Sequence, residues 1–403
     1  MTRERCSGLV RTRQVRGGPR STWDVGGTTL LLVLGASFAC SDAGGGADDA
    51  PFTSGGSGGS ATAATESSGV RPPAGGSGAS TETETNVTEE PRDFIEDEDE
   101  PEPQPPPVAI PEPPSCVNLE ADACQGESCC RRENVGASDA MVVAPNVSVV
   151  LTPYALDKFE VTVGRFRAFL AEYDDWRDAG NPKTNAGART GVPGSGWVKD
   201  PTWEVALPDS AAVMRVGLNC DATQQTWTDE AAFNENKPIN CVSWYEAFAF
   251  CVWDEGRLPT EMEWQYAASA GAQARKFAWG NTALSPEFAV YGCLAAGTGA
   301  NCTADDIPDV GSRPAGDGLY NHSDLNGSVL EWTLDWFGPY PELMRDNYTK
   351  TDSGTNRVLR GGCWNTTFPD QITATTRHHQ EKPEYRSSAT GIRCMREIPT
   401  SPR

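Results

Sequence analysis

From about Ala140 onward the apolar residues fall into patterns that define elements. Leu156 to Val161 reads as a strand. Thr162 then stands as a cap for a helix in which Phe166, Phe169, Leu170 and Tyr173 recur at i, i+3, i+4 and i+7 and share one face. A second helix follows Ser243, with Trp244, Phe248 and Cys251 on one stripe. A third starts at Thr260, where the run "TEME" forms a capping box: Thr260 caps, and Glu263 reaches back to its amide. Past Phe277 the chain is rich in Gly, Asn, Asp and Trp, with short apolar runs and no long period. The pattern predicts an α+β fold dominated by loops and held by tryptophans and disulfides.

Composition limits how much of the chain this fold can include. A hydrophobic fraction of 38% is low for a fully globular chain of 403 residues, so part of it should be unfolded. Ser41 to Pro114 supplies that part. It has no apolar periodicity, being first rich in Gly, Ser, Ala and Thr and then acidic and proline-rich in "TETETNVTEEPRDFIEDEDEPEPQPPP". Such a segment buries too little surface to offset its chain entropy and reads as a solvated tether; a partner-binding tail is the alternative. The formal net charge of −23, with no basic stripe after Arg20, excludes a nucleic-acid partner, which requires clustered Lys and Arg.

The beginning of the chain indicates a compartment. A basic segment through Arg20 precedes the short apolar run from Thr28 to Ala39, followed by Cys40. About a dozen apolar residues cannot cross a hydrocarbon layer of roughly 30 Å, so the run is a signal-peptide core and not a span. Ala39-Cys40 resembles a bacterial lipobox, which implies that Cys40 is lipidated and that residues 1–40 are the leader. Ser37 departs from the aliphatic residue usual at its position, and ordinary secretion with cleavage nearby is the alternative. Either route delivers the chain to an oxidising compartment of the cell envelope, facing the periplasm or the cell surface, where disulfides persist.

Cysteine usage agrees with export. Between residues 115 and 135 lie Cys116, Cys124, Cys129 and Cys130, a small disulfide knot with three possible pairings. Zinc is the rival, but no histidine is near and the spacing is not a paired C-x-x-C. Cys220 with Cys241, and Cys293 with Cys302, read as local loop closures, each worth roughly 3 kcal/mol in loop entropy.

Over residues 140–397 the ordered stretches "LDKFEVTVGRFRAFL", "PINCVSWYEAFAFCVWDEGRLPTEMEWQYAA", "FAWGN", "LNGSVLEWTLDW", "RVLRGGCW" and "GIRCMRE" together resemble the formylglycine-generating enzymes, or sulfatase-modifying factors. The resemblance implies a variant of the C-type lectin fold and a disulfide between Cys251 and Cys394. It also implies copper chemistry: family enzymes oxidise a cysteine in a C-x-P-x-R segment of a sulfatase using Cu(I) held by two thiolates, a coordination that suits a soft ion. Counted from Arg360, the thiolate positions are Thr366 and Gln371 here, and neither supplies sulfur.

Cys363 occupies the place of a family serine that lines the active site. With 13 cysteines in the chain, Cys6 in the leader, Cys40 lipidated and the others assigned as above, Cys363 is left over. It is the single catalytic candidate, and burial beside Trp364 as a small hydrophobe is the favoured reading of it. "DLNGSVLEW" resembles a family calcium loop, which implies carboxylate ligands from Asp324 and Glu331 and carbonyl ligands from Gly327 and Val329. A second family calcium site is lost, since Val290 stands where its asparagine belongs. His322, His378 and His379 do not make a triad or a three-histidine metal centre.

Two functions follow. In one, a membrane-anchored binding or scaffold module on this fold engages an exported protein or surface ligand. In the other, an oxidoreductase with an altered copper arrangement converts a cysteine of an exported sulfatase-type substrate to formylglycine.

Overall fold

The computed structural model describes residues 112–398 apart from 121, 138, 145–146 and 295–301. The leader, Cys40 and nearly all of the proposed tether lie outside the described residues.

Three small sheets form the frame. Strands β1 (Arg132–Val135), β4 (Tyr154–Asp157) and β9 (Met395–Glu397) pair antiparallel in the order β1-β4-β9, bringing both ends of the domain together. β2 (Met141–Ala144) and β3 (Val147–Val149) make a two-stranded antiparallel unit. The third sheet holds β5 (Leu330–Trp336), β6 (Arg357–Arg360), β7 (His378–Glu381) and β8 (Thr390–Gly391) in the order β7-β6-β5-β8, with β5 and β8 parallel. The strand expected over Leu156 to Val161 begins earlier and ends at Asp157. Beyond that point the main chain leaves the sheet: Val161 exchanges hydrogen bonds with Ile392 and Ile239 instead.

Helix α1 (Val163–Asp178) starts where expected, with the Thr162 hydroxyl accepting from the Arg165 amide at 3.3 Å. Its apolar face meets α4 (Trp244–Trp253): Phe166 stacks on Phe250 with centroids 5.5 Å apart, and Phe169 packs edge-on to the same ring. Every residue of α4 except Val252 is buried, so it is the core helix and not an amphipathic surface one. Capping boxes close the N-termini of α4, through Ser243 and Glu246, and of α5 (Glu261–Ser269), through Thr260 and Glu263. Two short helices, α2 (Pro201–Ala206) and α3 (Ala211–Leu218), lie between α1 and α4, capped by Asp200 and Ser210.

Five disulfides are described. Cys251–Cys394 ties α4 to the segment before β9, while Cys220–Cys241 and Cys293–Cys302 close loops. In the knot the pairing is Cys116–Cys130 and Cys124–Cys129.

The knot is packed onto the domain and not set apart from it. Cys124 and Cys129 share an apolar cluster with Phe159 and Val310. The Ser115 amide donates to Asp254 Oδ1 at 3.1 Å, and Arg165 Nε donates to Ser115 Oγ at 3.0 Å. Beneath Ser115 lie four buried charges: Arg165 bonds Asp157 at 2.9 Å and Asp254 at 2.6 Å, and Arg396 bonds the same two carboxylates. The knot thus shares buried apolar and polar contacts with the rest of the described domain.

Candidate functional site

The loop that follows β6 turns sharply at Gly361 and Gly362, both in the left-handed region at φ +105° and +78°. A Cβ at Gly362 would come within 2.9 Å of Ile372, so glycine is required for the loop to fold back on itself. The turn delivers Cys363 and Trp364 into the core. The Trp364 amide donates to Ser328 O at 2.7 Å, its indole to Ser388 O at 3.0 Å, and its carbonyl accepts from the Cys293 amide at 2.8 Å.

Cys363 is fully buried. Its sulfur lies 3.1 Å from Thr366 Oγ1 and 3.2 Å from Asn365 Oδ1, and these are not its only interactions. The cysteine left over by the sequence count is therefore not a free thiol facing solvent.

Thr366 is committed to its own turn: its hydroxyl accepts from the Cys363 amide at 3.1 Å and its amide donates to the Cys363 carbonyl at 2.9 Å. Gln371 ends a short turn at Pro369–Gln371, and its Oε1 is buried without a hydrogen-bond partner. A hydroxyl and a neutral amide are not ligands for soft Cu(I), so these residues do not fit the two-thiolate copper centre. Among the described residues no group of three or more His, Cys, Asp or Glu side chains is placed to hold a metal.

The loop Asp324 to Glu331 adjoins this turn. Asn326 bridges the two, accepting from the Ala278 amide at 2.7 Å and donating to Ile372 O at 2.5 Å. The four expected calcium positions do lie in this loop, but Glu331 is already taken. Its Oε1 accepts from Arg393 Nε and NH2 at 3.0 and 2.8 Å, and its Oε2 from Trp264 Nε1 at 2.7 Å and Arg393 Nε at 3.1 Å. Three N–H donors thus converge on the carboxylate, with the Arg393 Nε–H shared between its two oxygens. Asp324 is also engaged, accepting from the Gly311 amide, and burial pushes its carboxyl up to about 6. The residues present do not fit a four-ligand calcium set, because the cation beside Glu331 is the chain's own guanidinium.

Sequence reasoning missed Glu160. This buried carboxylate accepts from Ser328 Oγ at 2.8 Å and the Val329 amide at 3.0 Å, holding the loop in place. Burial, then the charges of Asp324 and Glu331, push it well above the usual carboxylate range. The available signal was an acid inside the apolar run "KFEVTV". His322 is likewise a core residue, held neutral as burial and then Arg393 push it down to about 3.

Outside the buried turn, the segment from Lys276 to Leu294 flanks the loop 365–371. Lys276 Nζ reaches Asp370 at 3.3 Å, and the Lys276 carbonyl accepts from the Ala374 amide at 2.8 Å. Phe277, Trp279 and Phe288 stack in series with centroids 4.6 and 5.3 Å apart. Phe368 and Leu294 are 54% and 38% exposed, so this face offers apolar surface to solvent.

Comparison with known proteins fits this arrangement. The family model of the sulfatase-modifying factor enzyme 1-like domain matches residues 114–398, which includes the knot. The formylglycine-generating enzyme of Mus musculus is 34% identical over 176 residues, covering 41% of this chain and 46% of that protein. That of Streptomyces coelicolor is 31% identical over 242 residues, covering 55% and 70%. Hercynine oxygenase of Mycolicibacterium smegmatis is 28% identical over 245 residues, covering 57% and 55%. The chain thus spans about half the length of the mouse and mycobacterial relatives. With the family model matched from the knot to the last described residue, the chain belongs to the sulfatase-modifying factor enzyme 1-like domain family.

Proposed function

We propose that the domain is a binding or scaffold module of the cell envelope, and that it does not carry out the copper oxidation of its formylglycine-generating relatives. The observation that carries this reading is the chemistry at Thr366 and Gln371: a hydroxyl closing a local turn and a neutral amide stand where two thiolates would have to converge. Cys363, buried beside them, cannot build a two-thiolate centre alone.

The face built from Lys276–Leu294 and residues 365–371 is the binding surface in this reading, and its occupant is an exported protein or surface ligand. Support comes from Phe368 and Leu294 exposed on loops that a disulfide and core tryptophans hold in place. A lectin-like variant of the fold belongs to the same reading, since such frames present ligands to variable loops. Anchoring through lipidated Cys40 completes it. That residue lies outside the described part, and among the described residues no helix is long and apolar enough to cross a membrane.

The test is direct. Full-length protein supplied with Cu(I), oxygen and a C-x-P-x-R peptide should leave the peptide cysteine unmodified by mass spectrometry. Formylglycine in the product would overturn the proposal and restore the oxidoreductase.

A further inference from the structure

A single apolar residue at a protein surface needs no explanation, but two apolar runs bordering one depression do. On α3, Ala211, Met214 and Leu218 are buried, yet Ala212, Val213 and Val216 on its other side are exposed, Val216 by 73%. The loop 228–235 carries a second run, Ala231, Ala232 and Phe233, all exposed and Phe233 by 84%.

Both runs are held on α1. The Ala211 amide donates to Asp174 Oδ1 at 2.7 Å, and Cys220–Cys241 ties down the chain just past Leu218. Arg167 of the same helix grips the loop, donating to Thr228 O at 2.9 Å and Asp229 O at 3.2 Å and pairing with Glu235 at 2.7 Å. A surface fixed in this way loses little freedom when a partner covers it.

Between helix and loop lies an open depression of about 500 Å³ lined by Ala212, Arg215, Val216, Asn219, Asp229 and Glu230. Its helix wall carries the cation Arg215 and its loop wall the anions Asp229 and Glu230. Among the described residues no ion pair joins them. A partner of a single charge sign would be repelled by one wall. A second copy related by a two-fold axis instead sets the helix wall of each copy against the loop wall of the other, so that unlike charges meet twice.

We propose that this face joins two copies of the chain, with Phe233 of each seated in the α3 depression of the other and Arg215 paired with Glu230 across the interface. None of these residues belongs to the Lys276–Leu294 face, so self-association and ligand binding use different side chains.

Sedimentation equilibrium of the full-length chain, up to about 100 μM, tests this and should show a monomer–dimer equilibrium. Phe233→Ser should raise the dissociation constant at least about tenfold. Arg215→Glu and Glu230→Arg each place like charges together twice across the two-fold axis, and each variant alone should stay monomeric at that concentration. Mixed one to one they restore both pairs, and a heterodimer should form with about the wild-type dissociation constant. Recovery in the mixture also shows that both variants are folded, and since the altered side chains are exposed their urea midpoints should match that of the monomeric wild type. A wild type that stays monomeric throughout overturns the proposal. So does dimerisation that survives either charge reversal alone, or a mixture no better than its components, because either result would place the contact elsewhere.

Discussion

Arg257 and Glu263 meet through two parallel hydrogen bonds, NH1 to Oε2 at 2.8 Å and NH2 to Oε1 at 2.7 Å, with both side chains buried. The same carboxylate accepts from Arg189 Nε at 3.0 Å and from the Thr260 amide at 2.8 Å. One residue thus closes the capping box of α5, joins that helix to the strand-like segment at Arg257, and anchors the loop that carries Arg189. Glu263→Gln removes the charge from two buried guanidiniums and is expected to cost roughly 3–5 kcal/mol in urea unfolding. A loss under 1 kcal/mol would mean that the capping bonds alone matter there.

The pH dependence of Glu263 has a definite sign. Burial raises its carboxyl, but Arg257, Arg189 and the Thr260 amide outweigh burial and hold it at about 2. A folded value below the unfolded one near 4.5 gives stability that is complete above 4.5 and lost as pH falls toward 2. Wild type should therefore lose more stability than Glu263→Gln across that window.

The local half of this fold is legible in the sequence. Thr162 and Thr260 announce their helices because a cap and its partner amide are three residues apart, and the Phe166, Phe169, Leu170, Tyr173 face needs only its own period. α2 and α3 were missed although Asp200 before Pro201, and Ser210, are cap signals of the same kind; each helix is too short to show a period. What depends on distant partners is not legible. Ser115 meets Asp254 across 139 residues, and Glu331 meets Arg393 across 62. Charged residues such as Asp157, Arg165 and Glu160 read as surface until the fold shows them buried and paired. At the candidate site the missing sulfur at Thr366 and Gln371 was visible by type, whereas the engagement of Glu331 was not.

Calcium should leave the stability unchanged. Both oxygens of Glu331 are subscribed to Arg393 and Trp264, so a cation would have to displace a guanidinium that also bonds Asp157 O, Lys158 O and Ser323 O. Melting curves in millimolar calcium and in chelator should superimpose. Glu331→Ala should melt lower in both. A calcium-dependent rise that Glu331→Ala abolishes would show that the loop rearranges to take the ion.

Asp254 separates buried from exposed electrostatics. Asp254→Asn leaves Arg165 and Arg396 short of one charge beneath the knot and is expected to cost roughly 3–5 kcal/mol. Glu133→Gln, which releases the half-exposed Arg131, should cost under about 1 kcal/mol. Equal losses in urea unfolding would contradict the sealing of this network by Ser115.

Asp335 acts in the direction opposite to Glu263. It is buried on β5, accepting from the Glu261 amide and the Lys350 amide at 2.7 Å each, and among the described residues no cation bonds its carboxylate. Burial first, then the charge of Glu261, push its carboxyl up to about 7, against which the two amides act. The folded value lies above the unfolded one of 3.8, so the stability linked to its proton is complete below 3.8 and lost as pH rises through 7. Asp324, pushed up to about 6 by burial, adds a loss of the same sign. Urea midpoints of wild type and Asp335→Asn, compared from pH 4 to 8, isolate the Asp335 contribution. Asp335→Asn gives up one amide acceptor and should be less stable at pH 4, but its midpoint should fall less steeply. Parallel profiles for the two proteins would show that Asp335 stays ionised throughout the range.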